Sequence, residues 1–174
     1  MTINTGGSVI VGGQVFFVDA AATDSLTINA GDKIEVVTDT GGIFMVNADE
    51  DVSGVLNLTA HDIWVADESV LDQLNEDPNF DGLASALATN NGEVNPVGYI
   101  AAGDVTVTML GSSFLVQNTG TSTDTAGITV GDGGLTLVNQ GTGPATVIAY
   151  GQQVQSNGTV NKGDAFLGSV DATG

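Results

Sequence analysis

The stretch Ser25-Leu26-Thr27-Ile28-Asn29-Ala30-Gly31-Asp32-Lys33-Ile34-Glu35-Val36-Val37 decides the fold. Polar and aliphatic residues alternate over 25–28 and again over 33–37, which is the pattern of a strand with one buried side. Between the two runs, Asn29-Ala30-Gly31-Asp32 has the composition of a tight corner, because Asn and Gly tolerate the backbone angles that a turn requires. The stretch therefore predicts two short strands joined by a corner.

The same pattern of short strand and small-residue turn recurs along most of the chain. Strand centres at Ile28, Val46 and Val65 are separated by 18 and 19 residues, which suggests a repeat of about 18 to 20 residues. We expect each repeat to form one coil of a right-handed parallel β-helix (β-solenoid), in which each strand pairs with the equivalent strand of the next coil. A β-sandwich is the alternative, and it would require antiparallel hairpins.

The chain of 174 residues is predicted to be one all-β solenoid segment, 1–174, with a single interruption. Within 69–89 the apolar residues have helical spacing, and Pro78 divides the segment, so two short helices are expected. This helical insertion serves either as a lid or spacer or as a recognition element. Near the end of the chain, Asn157-Gly158 lies between Val154 and Val160, which is a hairpin signal.

Alternation within the strands also predicts which side chains face the core. The inward-facing residues are expected to include Ile28, Val46, Leu58, Val65, Val107, Val116, Val130, Leu137 and Ile148.

The charge is strongly unbalanced, with 21 acidic residues against two lysines, no arginine and a net charge of −19. Nucleic acids and anionic membrane surfaces are bound through Lys and Arg, so neither is expected as a partner. No stretch approaches the length of a membrane span. The start of the chain lacks a basic segment and an apolar run, so we expect an export signal to lie elsewhere in a longer precursor.

Residues that support catalysis are scarce. The chain has no cysteine, which excludes disulfides and thiol chemistry, and its only histidine, His61, is expected in a turn between strands. The absence of arginine removes the usual clamp for acidic sugars and phosphates. We therefore expect a protein that is not an enzyme and has no catalytic residues.

One acidic cluster, Asp49-Glu50-Asp51, is the candidate metal site. Three adjacent carboxylates repel one another unless solvent or a cation relieves them. Calcium prefers several oxygen ligands, so it is the cofactor that this cluster would hold. The alternative is a hydrated acidic corner with no ion, and no other cofactor is predicted.

Several phrases resemble the filamentous-haemagglutinin-like surface proteins of Gram-negative bacteria, large adhesins in which a parallel β-helix forms a rod. The phrases are Leu56–Ala66 with Ser69–Leu74, then Ala86–Gly92, Phe114–Gly120 and Gly127–Gly131. The resemblance implies secretion, a location outside the cell or on its surface, and a role in adhesion or matrix building. It implies no functional residues, and the helical insertion departs from a plain rod.

These observations lead to a structural or adhesive segment of an extracellular filamentous protein. Its expected partners are further coils of a longer chain, a second copy stacked end to end, and surface glycans or matrix. A fragment of a β-helical polysaccharide-active enzyme and a self-assembling fibre subunit are the alternatives.

Overall fold

All regular secondary structure in the described part of the chain is β-structure, with no helix. The computed structural model describes residues 1–12, 15–37, 42–49, 51–66, 99–118, 128–142, 145–154, 160–163 and 169–170. The helical insertion predicted at 69–89 lies outside these residues.

Twelve strands are formed within the described residues. They are β1 (Thr2–Thr5), β2 (Val9–Gly12), β3 (Val15–Phe17), β4 (Ser25–Ala30), β5 (Lys33–Val37), β6 (Gly42–Met45), β7 (Val55–Ala66), β8 (Tyr99–Asn118), β9 (Ile128–Asn139), β10 (Ala145–Val154), β11 (Val160–Gly163) and β12 (Ser169–Val170).

Parallel pairing arranges most of these strands into three ladders of one curled sheet. The first ladder joins β1, β4, the start of β7, the middle of β8 and the end of β9. The second joins β2, β5, the end of β7, the end of β8 and β10. The third joins β3, β6 and the starts of β8 and β9. Parallel neighbours of this kind do not fit the antiparallel hairpins of the β-sandwich alternative.

The three ladders face a common aliphatic core. Leu26 and Ile28 enter it from the first ladder, Ile34 from the second, and Ile43 and Met45 from the third, and each is at most 1% exposed. Alternation along every strand places these residues on one side, because successive side chains of a strand point in opposite directions. Burial of this aliphatic surface is the main favourable contribution to the stability of the fold.

The repeat is longer than the 18 to 20 residues expected from the sequence. Thr2 pairs with Thr27, and Thr27 pairs with Asn57, so successive equivalents lie 25 and 30 residues apart. The expected period was wrong because Ile28 and Val65 are not equivalent positions. Ile28 belongs to the first ladder and Val65 to the second. Each turn of the chain contributes a strand to all three ladders, which requires more residues.

Most of the expected core residues whose side chains are described lie where alternation predicts. Ile28, Leu58, Val65 and Val107 are buried, and Val130 and Leu137 are partly buried against the core. Val46 is the exception, since it is half-buried in an isolated antiparallel bridge with Val52 beyond the end of β6. The side chains of Val116 and Ile148 lie outside those described.

The predicted hairpin near the end of the chain is confirmed by its pairing. β10 and β11 run antiparallel with Val154 opposite Val160, so the intervening Asn157-Gly158 signal lies between two paired strands. β12 also pairs antiparallel with β10. The parallel arrangement of the three ladders thus gives way to antiparallel pairing at this end of the described structure.

Glycines of successive coils stack at the corners between ladders. A Cβ atom at Gly31 would lie 2.5 Å from the carbonyl oxygen of Gly6, and one at Gly141 would lie 2.8 Å from that of Gly111. The backbone of one coil therefore passes too close to the next coil for any side chain. This close approach lets the strands on either side of each corner keep their pairing.

We predict that Leu58→Ala lowers the free energy of unfolding by about 2–5 kcal/mol, because it leaves a cavity in the core. Leu58 is fully buried, and the adjacent Thr59 points outward from the same strand. Thr59→Ala is the matched control and should cost about 1 kcal/mol or less. Urea unfolding followed by circular dichroism measures both. Equal costs for the two variants would contradict the inward and outward assignment.

A second pair of variants tests the corner. Gly31→Ala should destabilise the protein by about 1–3 kcal/mol, because its methyl group would overlap the Gly6 carbonyl and force the coils apart. Gly6→Ala has no atom within 4 Å of the new methyl group. It should be neutral or stabilise the protein by about 0.4–1 kcal/mol through the unfolded chain. Thermal unfolding distinguishes the two, and a neutral Gly31→Ala would refute the close stacking of the corners.

Candidate functional site

The outer side of the first ladder carries two adjacent columns of small uncharged polar residues. We call these ten positions the Thr/Asn face. Nine of the ten are Thr or Asn, which sets this surface apart from the rest of the acidic chain. One column consists of Thr2, Thr27, Asn57, Thr106 and Thr136, and the other of Asn4, Asn29, Thr59, Thr108 and Val138.

The local sequence explains why these side chains point outward. In every strand of the ladder, one aliphatic residue separates the two face positions, as Ile28 separates Thr27 from Asn29. Ile28, Leu58 and Val107 turn into the core and are buried. Their neighbours on both sides must then face away from the core, because the side-chain period of a strand is two.

The register keeps the two columns continuous. Pairing proceeds without a shift from Thr27 and Asn29 to their partners in β7, and the shift between β7 and β8 comes only after Ala60. Neighbouring strands lie about 4.8 Å apart, and alternate residues of one strand lie about 6.6 Å apart. The face is therefore a regular grid of polar groups with these two repeats.

Hydrogen bonds between strands fix some of the face side chains. Asn29 Nδ2 donates to Asn4 Oδ1 at 2.7 Å, and Asn57 Nδ2 donates to Thr27 Oγ1 at 3.4 Å. Thr hydroxyls and Asn amides both donate and accept hydrogen bonds. Thr and Val are also stiff about χ1, so they lose little conformational freedom when they bind a partner.

An open depression of about 370 Å³ lies where the face meets the first corner. Asn4, Asn29 and Thr59 form its wall on the face, and Gly6 and Gly31 contribute backbone at the corner. Gly6 leaves space open here, because it has no side chain and no atom lies within 4 Å of the place where its Cβ would be. The lining of the depression is mostly apolar and includes no ionisable side chain.

Charged groups border the face without entering it. No Asp, Glu or Lys occupies the ten positions, although the chain has a net charge of −19. Asp104 begins the strand segment that carries Thr106, and Asp32 lies in the corner after β4, where it accepts a hydrogen bond from Ser8 at 2.7 Å. The uncharged surface is thus bounded by acidic residues at its ends.

A second polar cluster lies on the outer side of the second ladder. Glu35 pairs with Trp64 across the ladder, and the two residues are 7% and 4% exposed. Lys33 Nζ lies 2.6 Å from Glu35 Oε2 and 5.3 Å from the centroid of the Trp64 ring. Glu35 Oε2 has no hydrogen bond of good geometry, so the ion pair with Lys33 compensates the buried carboxylate. We assign this cluster a structural role.

The candidate calcium cluster is described only in part. Asp49 and Asp51 are exposed, and their backbone N–H groups donate to Asn47 Oδ1 at 2.9 and 3.0 Å. Asn47 thereby closes the loop between β6 and β7. Glu50 lies outside the described residues. In the described ranges, no three His, Cys, Asp or Glu side chains form a group that would hold a metal ion.

His61 is exposed at the corner between the two halves of β7, where a turn histidine was expected. Its backbone N–H donates to the carbonyl oxygen of Asp32 at 2.8 Å, which joins the corners of successive coils.

Within the part of the chain that the structure describes, no helix has the length and apolar character of a membrane span.

Comparisons of the chain with protein-family models, with curated proteins and with solved structures returned no match. The geometry of the chain itself therefore carries the functional argument.

The Thr/Asn face was not predicted from the sequence, because it contains no His, Cys or charged residue, the types that mark most catalytic and metal-binding motifs. The signal is present in the sequence as a recurring triplet with Thr or Asn on either side of an aliphatic residue. Thr27-Ile28-Asn29 and Thr106-Val107-Thr108 are two examples. The triplet becomes a site only when the register of the ladder is known, because only the register places the triplets side by side.

We predict that Lys33→Met lowers the free energy of unfolding by about 1–3 kcal/mol, because it leaves the carboxylate of Glu35 buried without its counter-charge. Adding Glu35→Gln to the same chain should recover part of the loss, since the amide is neutral. Urea unfolding of the two variants and of the original protein measures this. A Lys33→Met protein as stable as the original would show that the ion pair does not compensate Glu35.

Proposed function

We propose that the chain is a segment of a right-handed parallel β-helix in an extracellular or bacterial cell-surface filamentous protein, with a structural or adhesive role and no catalytic activity. The observation that carries the proposal is the set of three parallel ladders around one aliphatic core. Such an arrangement grows by adding coils, each of which buries the core side of the last.

The first coil supports this proposal through its open edge. β1, β2 and β3 each pair on one side only among the described strands. Their core-side residues, such as Ile3 and Val9, are only partly buried, whereas Ile28 and Ile34 in the next coil are at most 1% exposed. An unpaired edge with exposed apolar side chains is a template for another strand. A preceding coil or a second copy of the chain would cover it.

Exposed apolar residues lie on the outer side of the same coil. Ile10 is 62% exposed, Phe16 is 54% exposed and Val18 is 60% exposed. Phe16 meets Phe44 of the next coil edge to face, with ring centroids 5.7 Å apart. A further coil would extend this aromatic contact by one more step. The open end is therefore apolar inside the coil and also on its outer side at β2 and β3.

The charge of the chain favours association along the axis over association at the sides. A net charge of −19 repels like-charged flanks at low salt. Backbone pairing at the open end is short-ranged and withstands this repulsion better. Calcium would promote association by bridging carboxylates, with Asp49, Glu50 and Asp51 as the proposed ligands. Surface glycans or matrix are the proposed external partners.

The non-catalytic part of the proposal is supported by the residue inventory. One histidine, no cysteine and no arginine leave few nucleophile–base pairs to assemble. Incubation with plant, algal and bacterial polysaccharides tests this part. New reducing ends or unsaturated products, abolished by one carboxylate substitution, would assign the chain to a polysaccharide-active enzyme instead.

We predict that the chain associates end to end and that Phe16→Lys reduces this association, because a charged side chain at a sheet edge disfavours strand addition. Sedimentation velocity and electron microscopy measure particle length. Thr23→Lys makes the same change of charge in the exposed turn between β3 and β4 and should leave association unchanged.

The same measurements in calcium, in sodium chloride of matched ionic strength and in chelator test the proposed cation effect. Longer particles in calcium than in matched sodium would support a specific role for the acidic cluster. Compact globular monomers under all three conditions would contradict the proposal of a filament.

A further inference from the structure

The Thr/Asn face presents a two-dimensional lattice of groups that each donate and accept hydrogen bonds. Six of its ten residues are Thr and three are Asn, in two columns that continue through five strands. Hydroxyl and amide groups can bond to a partner whose surface also alternates donors and acceptors. An ice surface is such a partner, because each of its water molecules both donates and accepts hydrogen bonds.

The lattice has the two repeats of any parallel sheet, which suit a partner that is itself periodic on this scale. The grid repeats about every 4.8 Å across the strands and about every 6.6 Å along them. Oxygen atoms on the prism face of hexagonal ice repeat along two perpendicular directions at similar lengths. A rigid grid with matching repeats can hold water in an ice-like order before contact, which reduces the entropic cost of binding.

The chemistry of the face disfavours the main competing partners. None of its ten residues is charged, so it offers no counter-charge to an ionic polymer or a mineral ion. None is aromatic, whereas recognition of sugars commonly uses an aromatic platform. The ring contact of Phe16 and Phe44 belongs to the third ladder, and Trp64 belongs to the second.

The apolar component of the face also fits ice. Every Thr places a methyl group beside its hydroxyl, and Val138 supplies two methyl groups at the end of one column. Methyl groups order the water around them, and β-branching restricts their χ1 rotamers. A surface that combines fixed methyl groups with hydroxyls orders water without the strong hydration of charged groups.

We infer that the Thr/Asn face binds ice. The inference deepens the adhesive role proposed above, on which it rests for its biological setting, by naming the surface to which the segment attaches. The face needs no cofactor and no other site of the molecule for this binding.

The test uses the full chain. Nanolitre osmometry measures the gap between the melting and freezing points of a single ice crystal, together with crystal shape. A fluorescently labelled chain is also offered to a slowly growing ice hemisphere. We expect faceted crystals, a measurable gap and label within the ice, compared with an unrelated acidic protein at equal concentration.

Two matched variants assign the activity to the face. Thr106→Lys places a long charged side chain within the grid, on the fourth of its five strands, and should remove most of the freezing gap. Thr142→Lys makes the same change at an exposed position outside the two columns and should retain the gap. Circular dichroism and thermal unfolding confirm that both fold. Thr106→Ser keeps the hydroxyl, loses the methyl group and should give an intermediate gap, and it replaces Thr106→Lys if that variant does not fold.

Three results would overturn the inference. They are the absence of shaping and freezing gap in the original protein, equal activity in the Lys variants at Thr106 and Thr142, and retention on crystalline cellulose or chitin without any effect on ice. The last result would assign the face to a polysaccharide.

Particle length measured on the same samples separates this inference from the proposed function. Filaments that leave ice unaffected would refute only the ice-binding face, and ice shaping by compact monomers would refute only the filament.

Discussion

Parallel backbone pairing that keeps one register within each ladder is the constraint on which the rest of the structure depends. It places each residue of one coil beside its equivalent in the next, as Thr27 lies between Thr2 and Asn57. A side chain therefore meets a repeated environment along each column. Columns inside the coil favour aliphatic residues that share the core, and columns outside it become ladders in which similar side chains contact one another. The Asn4–Asn29 hydrogen bond at 2.7 Å is one product of this repetition.

The corners allow the strands to keep their register although the number of residues per coil changes. Equivalent residues of the first ladder are 25 residues apart at the first step and 30 at the next, yet the paired strands keep their alignment. Glycines such as Gly31 and Gly141 let the backbone of adjacent coils approach closely where the chain turns. Extra residues are then accommodated between ladders, as in the loop that Asn47 closes before β7. The paired segments on either side therefore keep their alignment.

The alternation of polar and aliphatic residues predicted the all-β class and most of the core, because strand period depends on local sequence alone. The parallel pairing was predicted from the recurrence of similar strands along the chain. The coil length was not predictable in the same way. Ile28 and Val65 look equivalent in hydropathy, and only long-range pairing shows that they belong to different ladders. Strand β1 was also not predicted, because Thr2–Thr5 contains a single aliphatic residue and is otherwise polar. The Thr/Asn face depends on the coil length and on β1, neither of which was predicted. Its triplets are therefore visible in the sequence, but their side-by-side arrangement is not.

The distribution of charge would keep the uncharged face available if copies of the chain associate end to end as proposed. Two copies would most easily meet sideways through the Thr/Asn face, because no like charges on it oppose the contact. Asp32 and Asp104 lie at the ends of its strands, and Asp24 lies before β4 with its carboxylate accepting a bond from Ala21 N–H at 2.8 Å. If the faces of two copies approached each other, these residues would place carboxylates of the two chains near one another. Repulsion at this border opposes side-by-side pairing of proteins, whereas an ice surface has no fixed charge and meets no such barrier.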